Sequence, residues 1–199
     1  MELKLGFLAS HGGSNMQAII DAYKKGETTA IPAVVISNNS KSFALQRAKD
    51  EGIPNFHISS ASYPESDDLD NAIIEKMEEF GVNLIILAGY MKKIGIGILR
   101  KYKGKILNIH PALLPKFGGE GMYGMNVHRA VIEAKEKESG PTVHLVDEEY
   151  DNGRILNQMK IDVNENDTPE SLAEKVLAVE HLIYIDTIKK IETGEIVLD

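Results

Sequence analysis

The chain has 199 residues, 43% hydrophobic and 26% charged, with 30 acidic against 22 basic side chains and no cysteine. That length suits one domain around one core, taken here as residues 1–199. A formal net charge of −8 argues against a nucleic-acid-binding surface, the missing cysteines exclude disulfides and thiolate chemistry, and no apolar run approaches the ~20 residues of a membrane span.

The N-terminal MELKLGFLAS enters a strand-like stretch with no apolar leader, so no signal peptide is expected and cytoplasm is the default compartment. Residues 3–9 read as a strand. Residues 14–25 read as a helix with Met16, Ile19, Ile20 and Tyr23 on one face, and Ser14 with Gln17 has the spacing of a capping box. A strand over 33–37, a helix over 42–51 stopped by Gly52 and a short strand over 55–58 follow. Residues 67–80 form a helix with Leu69, Ile73, Met77 and Phe80 inward. The all-apolar stretch 84–88 suits a central strand buried on both faces. A helix over 94–102 precedes a strand over 105–109. A helix over 127–137 precedes two strands, 142–146 and 155–163, expected to pair antiparallel at one edge. Thr168, Pro169 and Glu170 open a last helix, to about 191, with a cap, a Pro at its first position and an early acid. Repeated strand–helix units imply an α/β fold. The expected architecture is a doubly wound, mostly parallel twisted sheet with helices on both faces and antiparallel strands toward the C-terminus.

The segment Asn108-Ile109-His110-Pro111 places an amide and an imidazole two residues apart on a strand, so both point to one side. Pro111 then stops the ladder. Ligands of open α/β sheets bind at such strand ends, and this donor pair suits a reaction that builds negative charge on a carbonyl oxygen. The same pair could simply cap a turn. Between the first strand and helix, Gly12, Gly13 and Ser14 offer a close-approach turn at a helix N-terminus, either an anion site or a plain tight turn. It is neither a P-loop nor a dinucleotide fingerprint. Asp151, in Asp-Asn-Gly, is either a turn residue or a carboxylate that orients His110 and raises its pKa. His144, among apolar neighbours, is expected to be structural, and His128 could support the site from behind. His110, His128 and Asp151 fit no metal-ligand spacing, and no metal is expected. The Gly-rich stretch 114–125 is the longest irregular piece, of the kind that is usually functional or mobile.

In chain order, GGSNMQAIID, VISNNSKSFALQRAKDEGIP, LIILAGYM, KILNIHPALLPKF, GPTVHLVDEEYDNGRIL and VEHLIYI resemble the phosphoribosylglycinamide formyltransferases, folate-dependent enzymes of purine synthesis. The resemblance runs nearly end to end. It implies transfer of the formyl group of 10-formyltetrahydrofolate, a co-substrate, to the amine of N1-(5-phospho-D-ribosyl)glycinamide through a tetrahedral intermediate. It implies that Asn108, His110 and Asp151 are catalytic, that Gly13, Ser14 and Asn15 hold the phosphate, and that Glu180 binds the ribose. Gly89, Met91 and Pro111 would position the glycinamide end, and Leu87, Lys92, Lys93, Ile94, Val146 and Asp147 would line the folate pocket. The implied partners are these small molecules alone, with no nucleic acid or membrane, for a monomer or homodimer. Methionyl-tRNA formyltransferase and formyltetrahydrofolate deformylase share this module. They fall behind because no further domain is expected after the last helix or before the first strand. The alternative readings are a deformylase-like hydrolase and a non-catalytic phosphate-metabolite binder on the same fold.

Overall fold

Short runs rich in Ile, Val and Leu, each too brief for a stable helix, pair into the central sheet of this computed structural model, which describes residues 2–198. Met1 and Asp199, the ends of the expected 1–199 unit, lie outside the described residues. The elements are β1 (Lys4–Ala9), α1 (Ser14–Lys24), β2 (Ile31–Ser37), α2 (Phe43–Asp50), β3 (Asn55–His57), α3 (Ser66–Glu79), β4 (Leu84–Leu87) and α4 (Ile96–Lys101). Then follow β5 (Ile106–His110), α5 (Met125–Glu133), β6 (Glu138–Ser139), β7 (Thr142–Leu145), β8 (Ile155–Gln158), β9 (Ile161–Asp162) and α6 (Pro169–Glu192).

The seven-stranded sheet runs β3-β2-β1-β4-β5-β7-β8. Strands β1 to β5 are parallel, and β7 and β8 join antiparallel at one edge, as the sequence pattern predicts. The chain winds from β1 out to β3, then crosses back to β4, so the topological switch lies between β1 and β4. Alternation along the strands feeds two apolar layers. One holds Leu5, Phe7, Ile86, Leu107 and Ile109 against α1, α2 and α6. The other holds Leu8, Ile85, Leu87 and Ile106 against α3 and α4. Asn108 and His110 alternate with Leu107 and Ile109, so they face the α3–α4 side.

Three expectations need correction. The N-cap of α1 is Gly13, in left-handed backbone at φ 66°, not Ser14, and no side chain caps that helix start. The Gln17 amide donates instead to Asp21 and Glu51. The helix expected over 127–137 starts at Met125 and stops at Glu133, with Lys135 turning the chain at φ 54°. The strand expected over 155–163 is broken in two, and only β8 belongs to the main sheet, while β9 pairs with β6. Both partners break at one place because Pro141 has no N–H for the ladder and Gly140 turns at φ 140°. A Cβ at Gly140 would sit 1.9 Å from the Met159 carbonyl oxygen. Gly140→Ala is therefore expected to destabilise the fold by about 1–3 kcal/mol, seen as a lower urea midpoint at unchanged slope. An unchanged midpoint would show that the ribbon bends without this close approach.

Candidate active site

Antiparallel pairing of β5 with β7 sets Asn108 directly opposite His144. The Asn108 Nδ2 and His144 Nε2 atoms are 3.1 Å apart. His144 Nδ1–H donates to the Leu145 carbonyl at 2.8 Å, and in that tautomer Nε2 accepts from the Asn108 amide. The second Asn108 amide hydrogen is then available to a ligand. His144, expected to be merely structural, belongs to this cluster. Its apolar neighbours hide it in the sequence, and only the β5–β7 register reveals it.

His110 is buried and held at both ring nitrogens. Nε2–H donates to the Phe117 carbonyl at 2.7 Å, and Nδ1 faces the Asp151 carboxylate at 3.4 Å. Asp151 also lies 3.5 Å from His144 Nε2 and accepts from the Gly119 N–H at 3.0 Å. Asp151 takes left-handed backbone at φ 56°, a conformation its short polar side chain tolerates. The 114–125 stretch thus ties itself to both residues, through Phe117 and Gly119. Burial pushes the Asp151 carboxyl up. The His144 and His110 rings and the Gly119 N–H outweigh it and hold the pKa below the ordinary value. The sequence suggests that Asp151 raises His110, but burial dominates. The His110 pKa is lowered, although Asp151 and the Phe117 bond pull the other way. His128 on α5 is buried behind them, its pKa lowered by burial and then by the charge of His110.

A cavity of about 100 Å³ ends against Asn108, His144 and Asp151. Leu87, Lys92, Lys93, Ile94, Val146 and Asp147 all line it. Lys93 reaches over the Tyr150 ring, 5.5 Å from its centroid, joining the two walls. Tyr90, Lys92, Lys93 and Ile94 also form one wall of a neighbouring cavity of about 400 Å³.

Of the other expected residues, Gly13, Ser14 and Asn15 start α1, and Glu180, Gly89 and Met91 are tied to that region. The uncapped N–H groups and positive dipole end of α1 suit an anion. The α2 helix packs on this turn, with the Ala44 N–H bonding the His11 carbonyl and Arg47 Nε bonding the Gly12 carbonyl. Ser10 ties the turn to the next loop, because its Oγ accepts from the Met91 N–H while its own N–H donates to the Gly89 carbonyl. Pro111, half-buried, follows β5 directly. Asn15 Nδ2 donates to Glu180 Oε2 at 2.8 Å, and Asn15 Oδ1 is buried with no partner. Burial pushes the Glu180 carboxyl up to about 7, against the opposing bond from Asn15. Among the described residues no group of three or more His, Asp or Glu is placed to hold a metal ion, and no helix is long and apolar enough to cross a membrane.

With this cluster of an amide, two imidazoles and a carboxylate beside a strand-edge cavity, the chain belongs to the formyl transferase family, whose sequence pattern matches residues 3–188. Among named relatives it is 38% identical to the phosphoribosylglycinamide formyltransferase of Haemophilus influenzae, over 97% of this chain and 89% of that protein. It is 40% identical to the chloroplastic phosphoribosylglycinamide formyltransferase of Arabidopsis thaliana over 93% of its own length, and spans only 64% of that plant protein. Its fold superposes on the crystal structure of glycinamide ribonucleotide transformylase 1 from Symbiobacterium toebii with a TM-score of 0.92 at 37% identity, covering all of this chain and 91% of that one.

The Glu180 pKa fixes the sign of a stability effect. Held at about 7 in the fold, it contributes stability that is present below its ordinary value and lost as pH rises through 7. Glu180→Gln keeps an acceptor for Asn15 Nδ2 and removes that loss. The melting temperature of the variant relative to the parent is therefore expected to rise between pH 5 and pH 8. A difference independent of pH would mean that the carboxyl does not titrate in that window.

Proposed function

We propose that this chain transfers a formyl group from 10-formyltetrahydrofolate to the amine of phosphoribosylglycinamide; its relatives' names carry the group and the acceptor. The observation that supports it most directly is the convergence of Asn108, His144 and Asp151 at the end of the cavity between β4 and β5, with His110 against Asp151. The anion cradle of Gly13, Ser14 and Asn15 takes the substrate phosphate, and Glu180 takes the ribose. Gly89, Met91 and Pro111, in the loops joining cradle to cavity, position the glycinamide.

The cavity walls suit one flat end of a folate. Leu87, Ile94 and Val146 are apolar, and Asp147 is polar. At about 100 Å³ it does not hold a whole donor, since ligand pockets usually run ~300–1,000 Å³. The rest of the donor runs outward past Lys92 and Lys93, whose ammonium groups suit its carboxylates.

In the reaction the substrate amine forms a bond to the formyl carbon, the carbonyl oxygen takes negative charge, and the bond from that carbon to the donor nitrogen breaks. The amine loses a proton and the departing nitrogen gains one. The free amide hydrogen of Asn108 stabilises the oxyanion, a donor worth on the order of 10²–10³ in rate. His110 is neutral near pH 7 because burial holds its pKa down. With Nε2–H committed to Phe117, its Nδ1 is the site that takes a proton, beside the Asp151 carboxylate that stabilises the imidazolium as it forms. Together they carry the proton from amine to leaving nitrogen, general acid–base help of ~10²–10⁴. Every residue named here comes from one chain, so monomer and homodimer alike keep the site whole.

The test incubates the full chain with 10-formyltetrahydrofolate, with and without the ribonucleotide, and follows loss of the formylated folate. Turnover is expected only with the ribonucleotide. Formate released without it would mean a deformylase, and no turnover at all would leave a metabolite binder. Asp151→Asn is expected to lower turnover by at least ~10² with ribonucleotide affinity nearly intact. It should also move the His110 pKa further down, followed by imidazole NMR signals, because the raising effect of the Asp151 charge is lost. Normal turnover in that variant would return Asp151 to the role of a turn residue.

A further inference from the structure

Asn108 acts from one face of β5, and a residue outside the proposed machinery supports it from the other. Tyr184 of α6 is fully buried, with its hydroxyl 3.0 Å from the Leu87 carbonyl oxygen and 3.1 Å from the Leu107 carbonyl oxygen. Leu87 ends β4, and Leu107 supplies the carbonyl of the peptide that enters Asn108. The β4–β5 register stops at Ile86 and Leu107. Beyond it, β4 stays with β1 and β5 stays with β7. The Ala88 N–H goes to the Leu8 carbonyl and the Ile106 carbonyl receives the Val146 N–H, so by strand alternation the Leu87 and Leu107 carbonyls turn into the opening. Past the last rung the Leu87 carbonyl has no donor from β5, and the phenol hydroxyl reaches both it and the Leu107 carbonyl.

The same helix reaches the proposed cradle and the sheet edge. One turn before Tyr184, Glu180 accepts from Asn15, and a few residues later Asp186 and Thr187 accept from Asn157 of β8. The opening is the floor of the cavity that Leu87, Asn108 and His144 line from the other side.

We infer that Tyr184 is a positioning residue for formyl transfer: its hydroxyl fixes the Leu107–Asn108 peptide across the parted strands and so holds the Asn108 amide where the oxyanion forms. The inference rests on the formyl-transfer reading. Displacing a reacting group by about 1 Å can cost 10² in rate, so a hydroxyl that only anchors the peptide has a kinetic signature.

Tyr184→Phe removes the hydroxyl and keeps the ring in the core. Its kcat is expected to fall about tenfold, while ribonucleotide affinity by calorimetry stays within twofold, since Asn15 and Glu180 are untouched. In the Asn108→Ala background the same change is expected to alter the residual kcat by less than twofold, because the group it positions is gone. A merely structural role would give equal losses in both backgrounds, and that result, or an unchanged kcat in the single variant, overturns the inference. Side-chain amide NMR signals supply a readout without activity. Those of Asn108 are expected to shift or broaden in Tyr184→Phe while those of Asn15 stay in place, and unmoved Asn108 signals also overturn it. If the parent chain transfers no formyl group, it is the reading of function that has failed, and the NMR result alone decides whether Tyr184 holds Asn108.

Discussion

The parting of β4 from β5 is the constraint on which the site depends. Parallel strands in a continuous sheet leave no room between them, and their carbonyls are spent on one another. Here each strand follows its other neighbour once the pairing of Ile86 with Leu107 is past. The wedge that opens is lined by Leu87 on one side and Asn108 and His144 on the other. At its edge the Tyr184 hydroxyl, from the opposite layer, reaches the Leu87 and Leu107 carbonyls. Cavity, amide and hydroxyl are three aspects of one break in the ladder.

Charge in the wedge is governed by burial as much as by pairing. His110 and Asp151 face each other, yet burial draws the imidazole pKa down while the carboxyl stays ionised below its ordinary value. The outcome is a neutral base beside a permanent anion, an arrangement suited to receiving a proton and releasing it again. Glu180, with fewer donors around it, goes the other way and sits near neutrality. Two carboxyl groups of one chain are set apart by their surroundings alone.

Much of this was legible in the sequence, for physical reasons. Short apolar runs alternating with amphipathic periods leave little choice of architecture. Asn108 and His110 two residues apart must share a side, and Pro111 must end the strand. What was not legible depends on register and depth. His144 matters because it lies opposite Asn108, and no local pattern states which residues two strands place together. Tyr184 has the look of one more apolar position on a long helix, because its hydroxyl partners are 97 and 77 residues away. The break at Gly140 and Pro141 is written in residue types that also mark ordinary turns. The sign of the His110 shift needed the burial of the ring, which composition cannot supply.

The helix that carries Glu180 and Tyr184 follows β9 in chain order. During vectorial synthesis, a nascent polypeptide extruded only as far as β9 can already pair β1, β4, β5 and β7, yet it lacks the phenol for the gap and the carboxyl facing Asn15.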